Sequence, residues 1–101
     1  MIVYSVTLNV DEDVHEEWLS WMNEVHIPEV METGHFENHR ILRLINHSSD
    51  EPGETYNIQY DCPSMAELHK YQSKHAPKLQ KDVNDRYEGK FAAFRTLLET
   101  V

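Results

Sequence analysis

The sequence predicts an α+β fold with the element order β-α-β-β-α-β, and three observations support this prediction. Hydrophobic residues alternate over 2–10, as in a half-buried strand. Helical spacing begins at Val14 and again after Ser64, and two strand-like segments, 36–47 and 54–61, lie between the helices. Two β-α-β halves joined by a hairpin form a ferredoxin-like fold, a four-stranded antiparallel sheet with two helices on one face.

The first half of the chain supplies one strand and one helix. In the strand, Ile2, Tyr4, Val6, Leu8 and Val10 share one face, and Ser5, Thr7 and Asn9 share the other. The acidic run 11–13 offers N-cap groups. One broad apolar face follows, made of Val14, Trp18, Leu19, Met22, Val25 and His26. Pro28 should loosen the last turn of this helix, and Gly34 should end it.

The second half begins with a predicted hairpin. Both faces of 36–47 carry apolar residues, so we expect this strand to be interior or covered on both sides. A polar turn, 48–53, leads into the third strand, 54–61, which places Tyr56, Ile58 and Tyr60 on one face and Asn57 and Gln59 on the other.

The second helix has a predicted capping box, in which Ser64 accepts from a backbone amide and Glu67 reaches back. Its apolar stripe is predicted to contain Met65, Leu68, Gln72, Ala76, Leu79 and Val83. Pro77 should interrupt the helix and Gly89 should end it, and the fourth strand should occupy 90–100.

Length and charge narrow the classes of function. The 101 residues fit one domain, 1–101. The formal net charge of −9 disfavours nucleic acid and anionic membrane as partners. The single cysteine, Cys62, excludes a disulfide framework. No signal peptide or long apolar stretch is visible, so we expect a cytoplasmic location.

The polar face of the first and third strands predicts a homodimer. Its side chains, Ser5, Thr7, Asn9, Asn57 and Gln59, are uncharged and small enough to be buried with partners. A solvated face would more often carry Lys and Glu. A second copy could cover this face, so that two sheets form a dimeric α/β barrel.

The strongest candidate for chemistry is His26, which lies beside Leu19 and Met22 on the apolar face of the first helix. In a small pocket it could act as general acid or base. The alternative is a packed core histidine with one polar partner. In the core, desolvation would lower its pKa, and its stabilising contribution would be lost as the pH falls below about 6.5.

Six further residues are candidate ligand contacts, each with a structural alternative. Arg43 and Arg95 lie in apolar strands and could bind a carboxylate, or could pair with one of the 18 acidic residues. Tyr60 could hydrogen-bond a ligand or pack in the core. Trp18, Met22 and His75 could line the same cleft or serve only in packing. We find no ligand cluster with metal spacing and expect neither metal nor cofactor.

The sequence resembles one bacterial family over nearly its whole length. The matching stretches are the opening Ile-Val-Tyr-Ser-Val-Thr-Leu-Asn-Val-Asp-Glu-Asp, Trp18-Leu-Ser-Trp-Met, His26-Ile-Pro-Glu-Val, Tyr56-Asn-Ile-Gln-Tyr and Lys90-Phe-Ala-Ala-Phe-Arg-Thr-Leu-Leu-Glu. The family is catalogued as domain of unknown function 4286. The resemblance implies the dimeric α/β-barrel superfamily, whose members include monooxygenases, isomerases and small ligand binders. It implies no catalytic residues.

Two interpretations of function remain open from the sequence. One is a protein that binds or transforms a small organic molecule in a cleft between the first helix and the sheet, near His26. The other is a non-catalytic dimeric protein-interaction module. An open, solvent-connected pocket that includes His26 would favour the first, and a filled interior would favour the second.

Overall fold

Four strands form one antiparallel sheet in a computed structural model that describes residues 1–46 and 52–101. The strands are β1 (Ile2–Val10), β2 (Asn38–Arg43), β3 (Glu54–Cys62) and β4 (Phe91–Glu99), and their order across the sheet is β2-β3-β1-β4. Each neighbouring pair is antiparallel. This topology confirms the predicted α+β, ferredoxin-like fold.

Two helical arms cover one face of the sheet. The first arm contains α1 (His15–Trp21), a π-helical turn (Met22–His26) and α2 (Ile27–Glu32). The second arm contains α3 (Met65–Lys74) and α4 (Ala76–Tyr87). Within 1–46 and 52–101, no helix has the length and hydropathy that crossing a bilayer requires.

The register of the central strand β1 decides which side chains face the arms. Tyr4 lies opposite Tyr60 on β3, and Val6 lies opposite Arg95 on β4. Residues directly opposite one another in an antiparallel pair share a face. The alternation predicted for β1 is present, since Tyr4 and Leu8 are each 3% exposed.

The opposite side of the sheet, which we call the outer face, is not covered by the arms. It follows from the register and consists of Val3, Ser5, Thr7, Asn9, Asn38, Arg40, Leu42, Thr55, Asn57, Gln59, Asp61, Ala92, Phe94, Thr96 and Leu98. Asn57 Nδ2 donates to Ser5 Oγ (2.8 Å) and to Thr7 Oγ1 (3.0 Å). The outer face is therefore mostly polar but includes exposed apolar side chains on both edge strands.

The core between the sheet and the arms is rich in aromatic rings. Trp18 is fully buried against Tyr56, with ring centroids 5.0 Å apart. Phe36 stacks on Tyr4 (6.0 Å) and meets Tyr71 edge-on (4.7 Å). Aromatic pairs at these separations stabilise a core beyond the area that they bury.

The first arm begins and bends differently from the prediction. Val14 is the N-cap and makes no side-chain cap bond, so the predicted acidic N-cap over 11–13 is wrong. Asp13 instead pairs with Lys90 at 3.0 Å. Val25 is 37% exposed rather than on the apolar face, because it lies within the π-helical turn, whose wider winding rotates it about the helix axis relative to a regular α-helix.

Pro28 explains why the π-helical turn can form where it does. The amide of Ile27 donates to the carbonyl of Met22, five residues back, instead of the usual four. Pro28 has no amide hydrogen, so no α-helical bond to the carbonyl of Glu24 can form. Pro28 then lies at the start of α2, a position that proline tolerates. The predicted loosening at Pro28 thus takes the form of a π-helical turn.

The second arm confirms one half of the predicted capping box. Ser64 Oγ accepts a hydrogen bond from the Glu67 amide at 3.2 Å. The Glu67 side chain does not reach back, because it binds His35 (2.8 Å) and Lys70 (3.2 Å) instead. The arm is broken at His75, which has a φ of −123° and precedes Pro77 in α4. Gln72 is exposed and Tyr71 is buried, so the predicted stripe was wrong at that turn.

β2 is an edge strand, and the prediction that it is interior was wrong. It ends at Arg43, and Leu44 and Ile45 beyond it are 44% and 88% exposed. Its apolar residues on both faces reflect the edge of the sheet rather than burial. Residue 47 of the predicted strand 36–47 and residues 48–51 of the predicted turn 48–53 lie outside the described residues.

β4 forms the other edge, and it is exposed on both faces from Ala92 to Glu99. Its outward residues Phe94 and Leu98 are 62% and 46% exposed. The sheet of one chain is therefore open and is not a closed barrel. Closing it would require another polypeptide at the outer face or along β4.

Candidate functional site

A cavity of about 510 Å³ lies between the sheet and both helical arms. It is open towards solvent and has an apolar floor made by the three strands β1, β3 and β4. Its lining comprises Tyr4, Val6, Leu8, Met22, His26, Val30, Ile58, Tyr60, Tyr71, Leu79, Gln80, Val83, Asn84, Asp85, Glu88, Gly89, Phe91, Ala93 and Arg95. The size is typical of small-molecule sites in proteins.

The π-helical turn brings His26 to the wall of this cavity. Met22, His26 and Val30 are four residues apart and all line it. The imidazole is half-buried and stacks on Trp21, with ring centroids 5.5 Å apart and planes at 26°. It has no hydrogen-bond partner among the described residues. His26 is therefore held by stacking, while its ring nitrogens are available to a ligand.

Burial keeps His26 in its neutral form. Desolvation lowers its pKa to about 4, Asp82 opposes this shift, and the charge of Arg95 adds to it. At neutral pH the ring is uncharged, so one of its nitrogens can accept a hydrogen bond or a proton. The pKa falls as expected for a packed histidine, yet the ring also lines an open cavity. The packed alternative also required a polar partner, and His26 has none among the described residues.

Arg95 places a positive charge on the sheet side of the cavity. It lies on the helix-facing side of β4, opposite Val6, and its Nε donates to the Tyr4 hydroxyl at 2.9 Å. No carboxylate among the described residues forms an ion pair with it. Its ion-pair alternative is therefore not realised within the described part of the chain.

The buried tyrosines contribute protonated hydroxyl groups. Desolvation raises the pKa of Tyr60 and of Tyr71, and each phenol lies near other tyrosine side chains. Both therefore remain neutral across the physiological range and can donate or accept hydrogen bonds. Together with Tyr4 they add hydroxyl groups to a pocket whose lining also includes the polar side chains of Gln80, Asn84 and Glu88.

Of the seven candidate residues named from the sequence, four line this cavity and three do not. The cavity brings together His26, Met22, Tyr60 and Arg95. Trp18 lies outside its lining, fully buried beside Tyr56.

The other two candidates, Arg43 on β2 and His75 on the second arm, also lie outside the cavity lining. Arg43 donates to the Tyr56 hydroxyl (3.0 Å) and lines a separate hollow of about 210 Å³ between the first arm and β2. His75 packs against His35 (5.4 Å between ring centroids) and Tyr71 (6.4 Å) at the break of the second arm.

Several lining residues on the second arm were missed by the sequence reasoning. Gln80, Asn84 and Glu88 follow one another at intervals of four and line the cavity beside Leu79 and Val83. Four-residue spacing places side chains on one helical face. The four-residue spacing of this polar row, next to the apolar stripe, is visible in the sequence and could have indicated a cavity-lining face.

Cys62 is a free, buried cysteine. Burial raises the pKa of the Cys62 thiol, and its Sγ lies 3.4 Å from the carbonyl oxygens of His35 and Ser64. A raised pKa leaves little thiolate and low reactivity. Within the described part of the chain, no three His, Cys, Asp or Glu side chains are placed to hold a metal ion.

The sequence profile of one family, described as a domain of unknown function (DUF4286), matches residues 1–101. Among curated proteins, none matches this chain significantly. Solved structures of the same fold are numerous, and their sequence identities with this chain are low.

Three of these structures illustrate the similarity. A dimeric ferredoxin-like protein from an uncultured marine organism has a TM-score of 0.71 and 13% identity over 100% of this chain and 95% of its own. An ethyl tert-butyl ether D (EthD) family protein from Bacillus halodurans has a TM-score of 0.68 and 10% identity over 100% of both chains. SnoaB from Streptomyces nogalater, a cofactor-independent oxygenase, was solved as a variant; its TM-score is 0.65, with 10% identity over 98% of this chain and 92% of its own. At these identities the likeness shows the fold.

The neutral state of His26 predicts a pH-dependent stability. The unfolded chain binds a proton at a pKa near 6.5 and the folded chain near 4. The stabilising contribution is therefore complete above pH 6.5 and is lost as the pH falls from there to 4. The wild type should lose free energy of unfolding between pH 6.5 and pH 4. We expect His26→Gln to lose about 2 kcal/mol less over the same range, measured by urea denaturation.

The matched control is His69→Gln, which removes an exposed histidine from α3. This variant should keep the pH dependence of the wild type. An unchanged pH dependence in His26→Gln would show that the ring is not desolvated in the folded protein.

Proposed function

We propose that this chain, which belongs to the DUF4286 family, binds or transforms a small organic molecule in the cavity between the helical arms and the sheet. The observation that carries the proposal is one cavity with neutral His26 on its helical side and Arg95 on its sheet side. A hydrogen-bond acceptor and a donor on different walls can fix the orientation of a bound molecule.

His26 is the proposed catalytic residue if the bound molecule reacts. Its neutral ring can accept a proton from an acidic C–H or O–H group of the ligand. Arg95 and the Tyr4 hydroxyl then lie on the sheet side, where they can stabilise the negative charge that proton removal leaves behind. No cofactor is needed for a proton transfer of this kind.

The comparisons support a small-molecule site without deciding its chemistry. One structure of this fold is described as a cofactor-independent oxygenase, which agrees with a site that needs no bound cofactor. The alternative, a protein-interaction module without a ligand, predicts a filled interior. The open cavity beside His26 favours the ligand-binding interpretation.

Ligand binding can be tested by blocking the cavity. Ala93 lines it from an exposed strand, so Ala93→Trp should fill the space with little effect on folding. The probe is a panel of aromatic and alicyclic fragments, detected by saturation-transfer NMR. We expect fragments that bind the wild type to lose binding to Ala93→Trp by at least about tenfold, equivalent to about 1.4 kcal/mol.

The matched control is Ala66→Trp, on the exposed surface of α3 and outside the cavity lining. It should bind the same fragments as the wild type. Equal binding by both tryptophan variants, or a wild type that binds no fragment, would contradict the proposal.

We also propose that the outer face is the interface of a homodimer. Apart from Arg40 and Asp61, its side chains are uncharged, and Phe94 is 62% exposed there. Burying an aromatic side chain of this exposure favours association. A structural neighbour described as dimeric supports the same assembly.

The homodimer can be tested with charged variants on two neighbouring strands, β4 and β1. Phe94→Glu, and Thr7→Glu directly opposite it, place a carboxylate on the outer face. Because burying an unpaired charge is costly, light scattering should give the mass of one chain, 11.9 kDa, for each variant and twice that for the wild type. Leu97→Glu, on the opposite face of β4, should remain dimeric. A monomeric wild type would contradict the proposed interface.

The remaining sequence-based expectations about partners and location stay predictions. The net charge of −9 argues against nucleic acid and anionic membrane as partners. A cytoplasmic location is likewise proposed from the sequence alone.

A further inference from the structure

Arg95 is an unpaired cation in a protein with twice as many acidic as basic residues, 18 against nine. Five other basic side chains have carboxylate partners, as in Lys78–Asp82 and Arg86–Glu17, whereas Arg40 and Arg43 donate to neutral side-chain oxygens. Asp85 and Glu88 line the same cavity as Arg95, yet neither forms an ion pair with it. The Arg95 guanidinium, which could stabilise an anion in the cavity, therefore has no carboxylate partner in the described part of the chain.

The contact with Tyr4 orients the guanidinium for a ligand. Only Nε is engaged, by the Tyr4 hydroxyl at 2.9 Å. The two Nη groups have no hydrogen-bond partner among the described residues. Their paired N–H bonds match the two oxygens of a carboxylate, which binds arginine in a bidentate manner.

His26 is the second polar group that lacks a partner in this cavity, and it is neutral because it is desolvated beside the charge of Arg95. The charged and titratable groups that face it are Asp82 and Asp85 on α4, Glu88 just after it, Arg95 on β4, and Tyr4, Tyr60 and Tyr71 around the cavity. An anion bound to Arg95 would offset the positive charge that lowers the pKa of His26. This change favours the protonated imidazole.

We propose, resting on the function proposed above, that the ligand is a small organic acid whose anionic oxygens bind Arg95, and that its binding is coupled to proton uptake from solvent at His26. Glu88 on the same lining repels additional negative charge, whereas Asp85 is paired with Lys81, so the class is a monoacid rather than a diacid. The apolar floor holds the hydrocarbon part of the acid. No covalent bond changes in this step, and the proton comes from water or buffer.

Proton uptake gives this binding a defined pH dependence. Free His26 is neutral at pH 7, whereas the bound anion raises its pKa. The acid therefore binds more tightly as the pH falls from 7.5 to 5.5, a range in which a carboxylate with a pKa near 4 is still ionised. An uncharged analogue of the same shape leaves His26 neutral and binds with no such dependence.

The test compares 2-naphthoate with 2-naphthamide, which share a ring system and differ in charge. We expect isothermal titration calorimetry to show at least tenfold tighter binding of the naphthoate at pH 5.5, weakening as the pH rises to 7.5. Titrations in buffers with different ionisation enthalpies should show proton uptake for the naphthoate alone. Arg95→Gln should abolish the preference for the acid, and His26→Gln should abolish the proton uptake.

The matched control is Arg43→Gln, which removes another arginine from the helix-facing side of the sheet, outside this cavity. It should keep both the preference and the proton uptake. If the two compounds bind equally to the wild type and both are lost in Ala93→Trp, the acid inference is wrong and the proposed function stands. If neither binds, or Ala93→Trp binds both, the acid inference and the cavity as its site are both overturned.

Discussion

The antiparallel register of β1 with its two neighbours is the constraint on which both surfaces of this molecule depend. Because side chains alternate along a strand, this one register sets Tyr4, Tyr60 and Arg95 towards the helical arms. The same register sets Thr7 and Phe94 on the outer face. A slip of one residue would move Arg95 to the outer face and place Thr96 on the helix-facing side. The buried aromatic rings on the helix-facing side oppose such a slip.

The π-helical turn of the first arm contains His26, the imidazole that the strands of the sheet do not provide. A regular α-helix over 15–32 would turn Val25 towards the core. Pro28 removes the amide that regular winding would need, and stacking on Trp21 fixes the ring of His26. The site is thus built from a π-helical segment above a regular sheet, and desolvation of His26 follows from that position.

Local patterns were sufficient to predict the fold. The alternation of β1, the Ser64 cap and the breaks near Pro28 and Pro77 depend on near neighbours in the sequence, and the structure contains each of them. The burial of β2 could not be predicted in this way. Apolar residues on both faces fit an interior strand and an exposed edge equally well, and only the order of strands decides between them.

The candidate site was predictable only in part, for a similar reason. His26 and Met22 were identifiable because helical phase places them towards the sheet. Whether Arg95 faces the arms depends on the pairing of β4 with β1, which joins residues about 90 positions apart. The polar row formed by Gln80, Asn84 and Glu88 was visible as a spacing, but its meaning depends on the cavity that it borders.

The central claim is that a neutral, desolvated His26 lies on the wall of an open cavity beside Arg95. NMR titration of the imidazole carbon resonances in ¹³C-histidine-labelled protein, with His26→Gln to assign the signal, tests it most directly. The account predicts that the His26 ring of the unliganded protein titrates near pH 4 and is uncharged at pH 7. Titration near 6.5, the value of a solvated histidine, would contradict it.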